Sequence, residues 1–113
     1  MYNSHFLSMT KTVTGLTART LTAGGTGDGA AQNGTGIDRQ DIYSAIVAVP
    51  ITAVLAATET ATVNVKVQDS ADNSTFADFA SATELVLTGD TGGSTETDFI
   101  QLKVNLQGAK RYM

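Results

Sequence analysis

Strict alternation of apolar and polar residues is the feature that most constrains how this chain can fold. The clearest case is residues 99–106, FIQLKVNL, and residues 61–68, ATVNVKVQ, follow the same rule with three valines. Successive side chains of a β-strand point to opposite faces, so this period predicts half-buried strands. The residues predicted to face inward are Val63, Val65, Val67, Ile100, Leu102, Val104 and Leu106.

Residues 42–49 are apolar on both faces of a predicted strand. Tyr43, Ala45, Val47 and Val49 form one face, and the other carries Ile42, Ile46 and Ala48. A strand of this kind is buried on both sides or lies at an interface. Pro50 is predicted to end the strand or to place the next stretch at a sheet edge, and residues 51–60 are predicted to form a bend or one helical turn.

The remaining segments are short strands separated by turn signals. DSADNS, residues 69–74, is rich in side chains that bond their own backbone, and the chain then returns with Phe76 and Phe79 toward the core. A short strand is predicted at 84–87, a polar loop at 88–98, and a last strand at 110–112 after a turn at Gly108. No amphipathic helix is predicted.

The whole chain is predicted to be one all-β domain: a single antiparallel β-sandwich, jelly-roll or immunoglobulin-like, with a glycine-rich loop and an extended N-terminal arm. Charged residues make up only 16% of its 113 residues, compared with about 25% in ordinary soluble domains. The boundaries are residues 1–20 for the arm or a first strand, 21–36 for the glycine-rich loop, and 37–113 for the β-sandwich.

Composition and charge argue against several classes of partner. The net charge of −4 disfavours nucleic-acid binding, which needs a surplus of Lys and Arg. The chain has no cysteine, so it has no disulfide framework and no thiolate metal site. The most apolar segment, residues 43–57, is shorter than the roughly 20 residues that span a bilayer. We therefore expect neither a nucleic-acid nor a membrane partner.

No residue pattern indicates catalysis. His5 is the sole histidine, so a nucleophile–histidine pair has no well-placed base, and the glycine-rich loop lacks the lysine of a phosphate-binding loop. Acidic residues flank two loops, where they are interpreted as turn formers, with a weak surface cation site as the alternative. The sequence predicts a non-enzymatic protein with no cofactor and no metal. The acidic residues are Asp69, Asp72, Asp78, Asp90, Glu96 and Asp98.

Residues 61–79, ATVNVKVQDSADNSTFADF, followed by GAKRYM at 108–113, resemble small structural proteins of tailed bacteriophages and prophages. In that group a strand of the type T-V-x-V-K-L-Q-x-S-D-D leads into G-S/T-x-F-x-D, and a G-x-K-R-Y strand closes the domain. Residues 36–49 look like the group's preceding strand. The matching positions are Val63, Val65, Lys66, Gln68, Ser70, Asp72, Ser74, Phe76, Asp78, Gly108, Lys110, Arg111 and Tyr112.

The resemblance implies a head decoration (cement) protein on the outer surface of a virion, which binds the major capsid protein and bridges its subunits, with a trimer at local threefold positions. We expect Tyr2, Phe6 and Leu7 of the arm, together with the glycine-rich loop at 21–36, to contact the capsid. The alternatives are a head–tail connector or tail component and, less favoured, a carbohydrate-binding β-sandwich. The residues expected at the contact between subunits are Tyr43, Ile46 and Val47.

Overall fold

The structure is a computed structural model that describes residues 13–20 and 29–113. The chain divides into two units, Met1–Ile37 and Asp38–Met113. The arm residues expected to contact the capsid lie outside the described residues.

The described part of the first unit contains no strand or helix. Its two segments are held together locally, since the backbone N–H of Thr35 donates to the carbonyl of Gly15 at 3.0 Å. The Arg19 guanidinium also donates to the side-chain oxygen of Gln32 at 2.7 Å. The predicted alternative of a first strand is therefore not seen in residues 13–20.

The regular secondary structure of the second unit consists of β-strands, with no helix, which confirms the predicted all-β fold for the described residues. The strands pair as three two-stranded antiparallel sheets, β1 with β6, β2 with β5 and β3 with β4. The sheets are small and unclosed, so a single sandwich stays a prediction. The strands are β1 (Ser44–Leu55), β2 (Thr60–Val63), β3 (Lys66–Asp69), β4 (Ala77–Ser81), β5 (Leu85–Thr88) and β6 (Ser94–Asn105).

The longest sheet is the β1–β6 ribbon, and it corrects the prediction that Pro50 ends the strand. The alternative, an edge position for the next stretch, agrees with the structure because both strands of a two-stranded sheet are edges. β1 runs straight through Pro50, which lies opposite Phe99 near the middle of the ribbon. Bonded and non-bonded pairs alternate in an antiparallel ladder. Because Leu106 N–H donates to the carbonyl of Tyr43, which precedes β1, the even-numbered residues of β1 are the non-bonded ones. Pro50 therefore loses no hydrogen bond to β6 through its missing N–H.

The beginning of β1 corrects the predicted faces of two residues. Ile42 packs against the core, whereas Tyr43 is exposed, so both have exchanged faces relative to the predicted alternation. The reason is a turn before the strand, where Asp41 has a φ of 65° and the N–H of Ile42 donates to the carbonyl of Arg39. Alternation holds only from Ser44 onward.

Residues 61–68 keep their predicted alternation but do not form one strand. The three valines are partly buried, and the chain breaks after Val63 into β2 and β3. β2 pairs with β5, and β3 pairs with β4 with a register shift at Val67–Gln68. Side-chain periodicity could not reveal this break, because it is unchanged when consecutive strands pair with different partners.

The core lies where the ends of β1 and β6 meet the C-terminal segment. Leu106 is 1% exposed and forms the centre of a cluster with Val104 and Ala109, against which Phe79 packs as predicted. The predicted inward positions of β6 are confirmed. The predicted loop at 88–98 is shorter than expected because β6 begins at Ser94 and the loop occupies only residues 89–93.

Candidate interaction surface

One face of the β1–β6 ribbon points away from the core, and we call it the outer face. It carries six side chains from each strand, and all of them are exposed. They are Ser44, Ile46, Ala48, Pro50, Thr52 and Val54 of β1, and Thr95, Thr97, Phe99, Gln101, Lys103 and Asn105 of β6.

Three large apolar side chains stand on the outer face at spaced positions. Ile46 is 63% exposed, Val54 is 81% exposed and Phe99 is 53% exposed. Ile46 and Val54 lie four residues to either side of Pro50, and Pro50 is the register partner of Phe99. Exposed apolar groups gathered on one face are typical of a surface that contacts another protein.

The outer face is also almost free of charge. Lys103 is the single charged residue of the outer face. The face carries no Asp or Glu, although the chain has 11 of them. Glu96 and Asp98 belong to β6 but alternate with the outer-face positions. Depletion of charge is the composition expected at the centre of a protein–protein contact.

The three residues expected at a subunit contact do not share one face. Tyr43 precedes β1 and is 63% exposed, and Ile46 lies on the outer face. Val47 points inward and packs against the core cluster. Val54 and Phe99 were not predicted at the contact. Alternation continued through Pro50 would have placed Val54 on the face of Ile46, and the alternation of residues 99–106 places Phe99 outward.

Four residues of the phage-like motif, Ser70, Lys110, Arg111 and Tyr112, come together elsewhere, in a group that we call the C-terminal cluster. Ser70 is fully buried, and its backbone N–H and carbonyl pair with the carbonyl and N–H of Tyr112 at 2.8 and 2.9 Å. The carboxylate of Asp69, itself buried, accepts the N–H of Lys110 at 2.9 Å. The cluster comprises Asp38, Arg39, Asp69, Ser70, Lys110, Arg111 and Tyr112.

Two arginines hold the other side of the C-terminal segment. Arg39 donates through Nε to the carbonyl of Lys110 at 2.6 Å and through Nη1 to the carbonyl of Ile42 at 3.2 Å, and Nη2 donates to the carbonyl of Ala109. Arg111 forms an ion pair of 2.8 Å with Asp38, which raises the pKa of the guanidinium. These contacts fasten the end of the chain to the residues before β1.

The turn after Ser70 is stabilised by Asp72. Its Oδ1 accepts the backbone N–H groups of Ser74 and Thr75, each at 2.9 Å, and the hydroxyl of Ser70 at 2.8 Å. Asn73 has a φ of 57°, as a tight turn requires. The N–H of Thr75, followed by the hydroxyl of Ser70, lowers the pKa of Asp72 to about 2. The turn predicted at 69–74 is confirmed.

Five of the six carboxylates considered as a weak cation site accept hydrogen bonds within the chain, namely Asp69, Asp72, Asp78, Glu96 and Asp98. Asp78 accepts the amide of Gln68 at 2.7 Å and pairs with Lys66, and these contacts lower its pKa. Glu96 accepts the hydroxyl of Ser94. In residues 13–20 and 29–113, no three His, Cys, Asp or Glu side chains come close enough together to hold a metal ion.

Comparisons with known proteins add no identification. Neither a family model, nor a curated protein, nor a solved structure matches this chain. Within the described ranges, no helix is long and apolar enough to cross a membrane. Support for a function therefore comes from the outer face, the C-terminal cluster and the resemblance in the sequence.

Proposed function

We propose that this protein is a non-enzymatic structural component of a virion, a decoration (cement) protein on the outside of a tailed-phage head that bridges major capsid subunits. The observation that carries the proposal is the outer face of the β1–β6 ribbon. It offers exposed Ile46, Val54 and Phe99 on a surface with one charge, which suits binding to protein.

The placement of the phage-like motif gives a second reason. Its two parts, residues 61–79 and 108–113, are separated in the sequence but are joined by the backbone pairing of Ser70 with Tyr112. Residues that together hold one structural junction are a signature of a fold rather than of a reaction. The motif thus supports a shared architecture with the phage proteins that it resembles.

The single β-sandwich, jelly-roll or immunoglobulin-like, belongs to this proposal. The described sheets have only two strands each, so they leave edge strands with unpaired backbone groups. Neighbouring subunits on a capsid would cover such edges, since strand addition is a common mode of protein recognition. Binding of this kind stabilises a small domain because it favours the folded state.

The capsid contact is assigned to the N-terminal arm with Tyr2, Phe6 and Leu7. The test is to add the full chain, and a variant that begins at Met9, to heads that lack the protein, and to measure how much cosediments. A matched control keeps the length but replaces Asn3 and Ser4 with alanine. Loss of binding in the short variant alone supports the arm; unchanged binding refutes it.

The experiment that tests the function itself is the copy number of this chain in purified virions, measured against the major capsid protein. A number comparable with that of the major capsid protein is expected for a decoration protein. A number that fits a single ring would instead identify a neck or tail component. Complete absence from virions would refute the virion assignment.

A carbohydrate-binding module is the remaining candidate, and only its exposed aromatic residues favour it. Tyr43 and Phe99 are both more than half exposed. Tyr43 is hydrogen-bonded to Leu106, which lies seven residues along the strand from Phe99. Seven residues of a strand are about 24 Å long. Because that distance exceeds the size of one sugar ring, the two rings do not form a common stacking platform.

A further inference from the structure

The layout of the outer face indicates which partner fits it. Its apolar residues are arranged symmetrically, with Ile46 and Val54 at equal distances from the central pair of Pro50 and Phe99. In a twofold contact residue i of one copy meets residue j of the other, and j meets i, so a face that is apolar at both positions is complementary to itself. We propose that the outer face binds the outer face of a second copy of this chain.

Two twofold arrangements bring the faces together, and the register distinguishes them. With the axis across the strands and through the central pair, Ile46 of one copy lies over Val54 of the other, and the two Phe99 rings meet near the axis. With the axis parallel to the strands, Ile46 lies over the position of its register partner, Lys103. The first arrangement matches apolar with apolar groups and is the one that we assign.

The single charge supports the same choice. With the axis across the strands, the two Lys103 residues lie on opposite sides of the axis, each four residues away from it. Their ammonium groups are therefore about 27 Å apart. This exceeds the Debye length of about 8 Å at physiological ionic strength. With the axis along the strands, the two lysines would lie at the same level and repel each other. Each Lys103 instead meets the uncharged Thr95 of the other copy.

The size of the face sets the strength of the contact. Twelve residues at about 3.4 Å each give a length of about 40 Å, and two strands with their side chains are about 10 Å wide. The resulting footprint of about 400 Å² is half that of a standard interface, about 800 Å² per partner. The dimer should therefore form only at high concentration, about 0.1 mM or more.

The first test is sedimentation of the purified full chain from about 10 μM to about 1 mM, a range that brackets weak association. The expected result is a shift from monomer to dimer. Val54→Asp should weaken the dimer at least about tenfold, because the carboxylate would be buried against an isoleucine. The matched control is Val86→Asp, which changes another exposed valine outside the ribbon and should leave the association unchanged. Monomer at all concentrations, a trimer, or equal effects of the two variants would each overturn the proposal.

The second test addresses the geometry. Ile46→Lys and Val54→Asp should each strongly reduce the dimer fraction at about 1 mM, where the unchanged protein is mostly dimeric, whereas a mixture of the two variants should form heterodimers. In the mixture one contact becomes a Lys–Asp pair and the other remains Ile46 over Val54. Circular dichroism verifies that each variant is folded. Folded variants that fail to associate on mixing would refute the twofold arrangement. The proposal assigns the outer face to a second copy, leaves the capsid contact to the N-terminal arm, and puts a twofold dimer in place of the trimer that the resemblance implies. It is measured without a capsid, so its failure and the failure of the virion assignment are distinguishable.

Discussion

The outer face of the ribbon and the C-terminal cluster differ in how they use polar and apolar groups. In the cluster, Ser70 is fully buried and the carboxylate and guanidinium groups bind backbone groups or each other. On the outer face, Val54 and Ile46 are exposed and eleven of the twelve positions are uncharged. The cluster satisfies its groups within one chain, whereas the outer face leaves apolar groups in water.

This contrast explains what the phage-like motif does. Its charged and polar residues hold strands and turns together, as Lys66 and Gln68 do with Asp78. The surface available for contact is formed by residues outside the motif, such as Val54 and Phe99. The motif residues therefore act within the chain, and the binding surface has to be found from exposure.

The largest expected effect comes from the apolar core cluster of Val104, Leu106 and Ala109, which is compared with the outer face. Leu106→Ala should lower the free energy of unfolding by about 2–5 kcal/mol, because it removes a fully buried side chain and leaves a cavity. Urea denaturation followed by circular dichroism measures the change. Ile46→Ala, measured at a concentration where the protein is monomeric, should change it by less than about 0.5 kcal/mol. Equal losses would remove the contrast between the two regions.

A smaller loss is expected for the arginine that binds three carbonyls. Arg39→Gln should lower the free energy of unfolding by about 1.5–3 kcal/mol, because the carbonyls of Ile42, Ala109 and Lys110 lose a charged donor. Lys103→Gln on the outer face is the matched control and should have an effect below about 0.5 kcal/mol. A loss with Lys103→Gln as large as that with Arg39→Gln would contradict this assignment.

The smallest effect concerns pH. The folded pKa of Asp72 is about 2, below the ordinary value, so its contribution to stability is present above about pH 4 and is lost as the pH falls toward 2. Asp72→Asn should make the stability of the protein less dependent on pH in this window. Asp78 acts in the same direction, so part of the dependence should remain.

The matched control for this pH effect is Asp90→Asn, since the backbone of Asp90 makes the hydrogen bonds of its loop. Its pH profile should follow that of the unchanged protein. If the stability of Asp72→Asn depended on pH as that of the unchanged protein does, from about pH 4.5 to about pH 2, the role assigned to Asp72 in the turn would be wrong.

Local pattern determined much of this protein. Alternation in residues 99–106 predicted which side chains of β6 face the core, and the Asp, Asn and Ser residues of 69–74 predicted a turn. Both are properties of neighbouring residues, since a strand has a period of two and these side chains bond their own backbone. The candidate contact was predicted less well: Ile46 was assigned to a subunit contact and lies on the outer face, but Val47 was assigned to the same contact and Val54 was missed.

The tertiary structure decided what local pattern cannot express, namely which strands pair and where. Alternation is the same whether residues 61–68 form one strand or two, and only the different partners β5 and β4 divide them. Proline ends a strand only when its missing N–H faces a partner, and the register with β6 places Pro50 at a position where it does not. The symmetric outer face exists because that register puts Phe99 opposite Pro50, a relation between residues far apart in the chain.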